Sequence, residues 1–223
     1  MPKQTWWNLD EAKRQQIEQE AMTEFAQFTY SQASVTSMVR KLHIAKGSIY
    51  QYFTDKEDLY ITMVRLAHER VMYALRSRIP PVLYREGDIF ALLRRYFAES
   101  VGVALDFPVE TTLIQRSLTD TGPAAPTVHA LAMHIQRTFV DEIVSSAVES
   151  KSLRSDIDKT VTMFILESLL ERMIPYIQRS VASDTQVNEE SVRASAGQIV
   201  LFFDQLIAVL SSGLRSPATE NEK

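Results

Sequence analysis

The sequence predicts an all-α protein of 223 residues. Three observations carry that prediction. Glycine and proline are scarce, at six and eight, and few of them fall inside apolar-periodic stretches, so little interrupts helix formation. Apolar residues recur three and four apart through most of the chain, as in Leu59, Met63, Leu66, Ala67, Val71 and Leu75, which is one face of a helix. Helix-start signals stand ahead of the first of these stretches and of a later long one. Asn8 with Glu11, and Thr54 with Glu57, have the spacing of a capping box.

Taken in order, residues 1–8 read as a mobile arm carrying Lys3, Trp6 and Trp7, with the paired tryptophans suited to stapling the first helix to its domain. A helix of about twenty residues follows Asn8, with Ile17, Ala21, Phe25 and Phe28 as its buried stripe. Ser34 caps a short helix whose apolar side is Val35, Met38, Val39 and Leu42, and residues 43–45 make a turn. Lys46, Gly47 and Ser48 open a second short helix with Ile49, Tyr50 and Phe53 along it. A long helix then runs to about Arg78, where Pro80 and Pro81 stop it. Further helices are predicted over 88–106, 108–118, from 127 to about 150, to about 181, and 191–214. The clearest loop is 119–126, a tight connection lies at 152–156, residues 182–190 are polar, and 215–223 are expected to fray.

Two short helices across a three- to four-residue turn make a unit whose second helix fits a major groove. Residues 25–54 around that unit contain no Asp or Glu, yet hold Arg40, Lys41, Lys46, several hydroxyls and, near their end, Tyr50 and Tyr52. In a chain of net charge −4, such a stretch is a local surface for a polyanion. The same net charge excludes a general nucleic-acid coat. The string Ile44-Ala45-Lys46-Gly47-Ser48-Ile49-Tyr50, then Tyr52-Phe53, then Lys56-Glu57-Asp58-Leu59, resembles the N-terminal signature of the TetR (tetracycline-repressor-type) family of bacterial transcription regulators. The resemblance covers about the first sixty residues and is one of length and helical layout beyond them. It departs at two glycines, replaced here by His43 in the turn and Thr29 ahead of it. Histidine tolerates a left-handed backbone better than most residues, at some cost.

The resemblance implies an N-terminal three-helix DNA-binding domain over 1–55 and a helical ligand-binding and dimerisation bundle over 56–223. It implies a homodimeric repressor on pseudo-palindromic double-stranded operator DNA, released by a small hydrophobic or amphipathic ligand. DNA contact then falls to Ser34, Thr36 and Ser37, to Ala45, Lys46, Gly47 and Ser48 at the start of the recognition helix, and to Tyr50, Gln51, Tyr52 and Lys56. Gln51 suits adenine bidentately and Lys46 suits guanine or phosphate. A ligand pocket would draw on Phe90, Phe97, Phe107 and Met133, with Tyr96 and Phe139 beside them and Gln115, Arg116 or His134 as polar anchors. The last two long helices are more apolar than one buried face requires, through Leu166, Leu170, Met173, Phe202, Phe203, Leu206 and Leu210. They suit either a deeply buried pair within one chain or, as the resemblance implies, a four-helix dimer interface.

Composition bounds the remaining classes. Hydrophobic content of 45% with 23% charged residues is that of a soluble globular protein. Cysteine is absent, so there is no disulfide framework, thiolate nucleophile or cysteine-held metal. His129 and His134 are five apart, on different helix faces, and make no metal pair. No nucleophile elbow, phosphate-binding loop or zinc-protease motif is present. No catalytic residue and no cofactor is expected. The opening residues lack an apolar signal core, so a cytoplasmic protein is expected. Two alternatives stay open at this stage: a helical enzyme built on the large apolar C-terminal half, or an interaction protein whose DNA-binding head is vestigial.

Overall fold

The computed structural model describes residues 2–182 and 189–215, with the side chains of 173–196 left aside. Among the described residues there are eleven helices: α1 (Gln4–Trp7), α2 (Glu11–Gln27), α3 (Val35–Lys41), α4 (Lys46–Tyr52), α5 (Lys56–Arg78), α6 (Pro81–Glu86), α7 (Ile89–Asp106), α8 (Pro108–Thr119), α9 (Ala125–Glu149), α10 (Lys159–Ala182) and α11 (Glu189–Leu214). No strand occurs among the described residues; a single β-bridge joins Leu153 to Arg215. The all-α expectation holds. Residues 183–188 and 216–223, predicted polar and frayed, lie outside the described residues.

Several local expectations need correction. Residues 1–8 are not a mobile arm, because α1 forms there with Trp6 fully buried. The cap of α2 is Asp10, whose carboxylate accepts from the Lys13 N–H at 3.2 Å, while Asn8 instead ends α1. Likewise Asp55, not Thr54, caps α5, accepting from the Asp58 N–H at 2.8 Å. In both cases an aspartate one or two residues along takes the role, its carboxylate accepting the N–H three residues on. Phe28 leaves the stripe of α2 and is 42% exposed, and Met22 fills the core in its place. Pro80 and Pro81 do stop α5, but Pro81 also starts α6, since proline suits a first helical position.

The chain forms two compact units, with the division falling inside α5, α7 and α9. The first comprises Met1–Ala74 and Ala104–Met133. Its core joins Trp6, Phe25, Met38, Ile49, Phe53 and Tyr60 to Leu113, Ile114, Ala124 and Val128. Helix α8 packs along α2, and polar ties fix that contact. Arg116 donates to the Ala26 carbonyl at 2.9 Å, and Asp120 accepts from the Tyr30 N–H at 2.6 Å. Arg70 pairs with Glu18 and, at 3.3 Å, with Glu110. Burial raises the Glu18 pKa against the lowering pull of Arg70 and Arg14.

The second unit comprises Leu75–Val103 and His134–Lys223. Asp88 caps α7, accepting from the N–H groups of Phe90 and Ala91, and the predicted stripe Ile89, Leu92, Leu93, Tyr96, Phe97 and Val101 is buried throughout. Its interior is a stack of aromatic rings. Tyr96 lies on Phe139 with centroids 4.7 Å apart, and Phe97 on Phe203 at 4.3 Å. Gly87 ends α6 at φ 66, and a Cβ there would stand 2.3 Å from the Ser150 hydroxyl oxygen. Only glycine meets both demands.

Candidate nucleic-acid interface

The head is set by α2, α3 and α4, and its polar interior begins with Glu24. This carboxylate is 2% exposed. It accepts the Ser34 N–H at 3.0 Å and lies 3.5 Å from the Lys41 ammonium. Ser34 in turn caps α3, accepting the Ser37 N–H at 3.3 Å, as its position predicts. Lys41 also pairs with Glu20 at 2.6 Å, so it is held by α2 rather than offered to a ligand. The acid-free window therefore has acids behind it, turned inward, and Arg40 and Lys46 at its exposed surface.

The turn from α3 to α4 absorbs the His43 replacement without breaking. His43 stands in the left-handed region at φ 53. Its N–H reaches the Arg40 carbonyl at 3.3 Å, and the Ile44 N–H reaches the Val39 carbonyl at 3.1 Å. These are the two bonds of a Schellman helix end, with Ile44 and Val39 also in the apolar cluster. Thr29 is not among the positive-φ residues. Its hydroxyl bonds to Gln32 at 3.0 Å, so no glycine is needed there.

Helix α4 buries Ile49 and Tyr52 and leaves Ala45, Lys46, Gly47, Tyr50 and Gln51 exposed, with Ser48 half-buried. Ala45 precedes it with no side-chain cap. A Cβ added at Gly47 would meet nothing within 4 Å, so the fold itself makes no demand for glycine there. Thr36 is exposed, while Ser34 and Ser37 are half-buried. Tyr52 is 8% exposed, with its ring 5.8 Å from that of Trp6. Lys56 is half-buried, with its ammonium 4.7 Å above the Tyr30 ring, and burial lowers its pKa against the raising effect of Asp120 and Glu24. Sequence reasoning missed the N-terminal residues that reach α4. Lys3 and Thr5 donate side-chain hydrogen bonds to the carbonyls of Tyr50 and Gln51, partners more than forty-five residues away in sequence.

The residues expected for a ligand divide between the units. Phe90 and Phe97 belong to the core of the second. Phe107, Gln115, Arg116 and Met133 belong to the first; Met133 is 73% exposed, and Arg116 is engaged with Ala26. His134 is exposed in the second unit. A cavity of about 60 Å³ in the second unit is lined instead by Leu83, Tyr84, Gly87, Ile89, Leu92, Glu142, Ile143 and Ser146. Among the described residues no group of acidic and histidine side chains could hold a metal.

Of the residues expected at a dimer interface, Leu166, Leu170 and Phe203 are buried within the single chain. Leu206 and Leu210 are half-buried and Phe202 is 39% exposed; the Met173 side chain lies outside the described residues. The exposed apolar surface comes from neighbours of these positions: Val161 and Phe164 on α10, and Leu201 and Val209 on α11. The window Gly197–Leu214 is long and apolar enough to cross a membrane by composition, and 22% of it is buried within the chain. It is interrupted by Gln198, Asp204 and Gln205 and does not mark a membrane protein.

A short helix held by two others, with its outer face open and cationic at its first turn, defines a helix-turn-helix DNA-binding protein. Residues 17–63 match the family model of bacterial regulatory proteins of the tetR family, so this segment is similar to the N-terminal DNA-binding domain of TetR-family transcriptional regulators. Solved structures agree over nearly its whole length. A TetR family transcriptional regulator from Chloroflexus aurantiacus J-10-fl is 25% identical, with TM-score 0.62 over 97% of this chain and 100% of that one. The fatty acid degradation regulator FadR from Bacillus halodurans is 18% identical, with TM-score 0.65 over 89% and 96%. A TetR-like transcriptional regulator from Rhodococcus sp. RHA1 is 18% identical, with TM-score 0.61 over 90% and 98%. No curated protein matches the chain in sequence.

Proposed function

We propose that the chain is a homodimeric, non-enzymatic repressor that places α4 of each copy in the major groove of a pseudo-palindromic operator and is released by a small apolar or amphipathic ligand. The observation that carries this reading is the outer face of α4. Lys46, Gly47, Tyr50 and Gln51 are exposed together on one short helix, whose inner face is locked by Ile49 and Tyr52. Open space over Gly47 suits the close approach of a nucleic-acid backbone. Gln51 is assigned to a base edge, Lys46 to guanine or phosphate, and Ala45, Ser48, Thr36, Ser37 and Tyr50 to the sugar-phosphate rim. Ser34 serves that rim by capping α3, and Tyr52 and Lys56 support it from a buried and a half-buried position respectively. The missing family glycines do not favour a vestigial head, since His43 completes the turn they would have made.

Dimerisation is assigned to the exposed apolar face of α10 and α11, where Leu201, Ala208 and Val209 recur at helical spacing. Within the 56–223 region, Phe90 and Phe97 are the residues best placed to line an apolar effector site, since the small cavity beside Ile89 and Leu92 could widen among them. Selection of binding sites from random duplexes tests the DNA-reading claim. Gln51→Ala should change the preferred base at one symmetric pair of positions, at a cost of about 1–3 kcal/mol on the wild-type site. An unchanged consensus would remove Gln51 from base reading.

A further inference from the structure

The helix that reads DNA is seven residues long, and isolated helices below about 12–15 residues are marginal in water. Its last four carbonyls have no partner within the helix itself. In α4 these belong to Ile49, Tyr50, Gln51 and Tyr52. The Phe53 N–H takes the Ile49 carbonyl at 2.9 Å. The N-terminal segment takes the other three. Lys3 Nζ donates to the Tyr50 carbonyl at 2.8 Å, Thr5 Oγ1 to the Gln51 carbonyl at 2.5 Å, and the Lys3 N–H to the Tyr52 carbonyl at 2.8 Å. Trp6 anchors the segment: fully buried, its ring lies 4.8 Å from Phe53 and 5.8 Å from Tyr52. The Lys3 ammonium also brings positive charge to the negative end of the helix dipole.

We propose that residues 3–6 form a clamp that holds the recognition helix in its reading geometry, with Lys3 and Thr5 as positioning residues for operator recognition. The clamp lies outside the 17–63 segment that the family model matches. It acts where its effect on reading is largest, because Tyr50 and Gln51 carry both the clamped carbonyls and the exposed side chains. Two neutral side-chain changes remove its two side-chain hydrogen bonds, while the Lys3 N–H bond to Tyr52 and the buried Trp6 stay in place.

The test is the double variant Lys3→Met/Thr5→Val, with Lys3→Arg as the conservative control. In the DNA-free protein, hydrogen exchange at the amides of residues 50–53 should accelerate at least about tenfold relative to amides in α2. Affinity for an operator selected by the wild-type protein should fall at least about tenfold, roughly 1.4 kcal/mol. Affinity for a scrambled duplex and the salt dependence of binding should stay as they are. Lys3→Arg should restore most of both effects. Unchanged exchange in the free protein overturns the clamp. An equal loss on operator and scrambled duplex, with the salt slope lowered by about one, would make Lys3 a phosphate contact instead and also overturn it. Because the exchange measurement uses no DNA, a failure of the clamp is distinguishable from a failure of the proposed base reading.

Discussion

The two units are held by different kinds of force. In the first, directional polar contacts fix each helix: Glu24 on Ser34, Arg70 on Glu18 and Glu110, Asp120 on Tyr30, and residues 3–5 on α4. In the second, stacked rings and aliphatic residues fill the interior, and Val161, Phe164, Leu201, Phe202 and Val209 stay exposed on α10 and α11. Hydrogen bonds constrain angle and register, whereas apolar burial is roughly proportional to area and indifferent to direction. A head that must match the geometry of a groove needs the first kind. Under the proposed function, a bundle that takes up a ligand or a second copy is served by the second.

The contrast breaks most sharply at Arg70. Arg70→Leu leaves Glu18 and Glu110, both under 9% exposed, without their shared cation. Breaking a buried pair costs about 3–5 kcal/mol; with the Arg70 side chain 31% exposed, a loss of about 2–3 kcal/mol is expected. Urea unfolding at pH 7 would show it. The deficit should shrink on acidification, as Glu18, whose pKa is already raised by burial, takes up a proton.

A comparable effect should come from pH alone. Burial lowers the His68 pKa from 6.5 to about 4, and its Nε2 has no hydrogen-bond partner among the described residues. The unfolded chain binds a proton at this site near pH 6.5, while the folded chain resists until about pH 4. Stability from His68 is therefore full above about pH 6.5 and falls as the pH drops toward 4, by about 2–3 kcal/mol. His68→Phe should flatten that part of the pH–stability curve, and an unchanged slope would assign it to other groups.

The smallest effect is at His43. Glycine relieves the left-handed backbone but gains freedom in the unfolded chain, so His43→Gly should stabilise by no more than about 1 kcal/mol. His43→Val should destabilise by more than that, because a β-branched residue fits the left-handed region poorly. Paired thermal melts would show the opposite signs.

What the sequence made legible follows the same division between near and far partners. Ser34, Val35, Met38 and Val39 could be placed because a cap and an apolar face are read from neighbours three or four residues away. At α4, Ala45, Lys46, Gly47 and Gln51 are exposed as a DNA-facing role requires, whereas Tyr52, expected at the DNA, is buried beside Trp6, a partner that local spacing does not announce. Lys41 could not be separated from Lys46 as a DNA-facing cation, because its acids lie on α2, around twenty residues back. The clamp from Lys3 and the grip of Asp120 on Tyr30 were invisible, since nothing local in residues 1–8 or 119–126 announces a distant partner. On α11, periodicity identified an apolar helix but not which side the chain itself would cover. Phe203 went inward onto Phe97, and Leu201 and Val209 were left outside.

Those two residues give the most direct test of the account, in which the apolar face of the second unit joins two weak heads into one reader. A single head offers one seven-residue helix, a small footprint for specific binding at nanomolar affinity or tighter. Two heads about 34–36 Å apart would gain from effective concentration. Leu201→Glu/Val209→Glu changes only exposed positions, so the chain should still fold, while like charges meet across the two-fold axis. Sedimentation and operator titration on the same sample should then show a folded monomer with affinity lowered at least about a hundredfold, roughly 2.7 kcal/mol. A folded monomer that keeps wild-type operator affinity would contradict the two-headed mechanism.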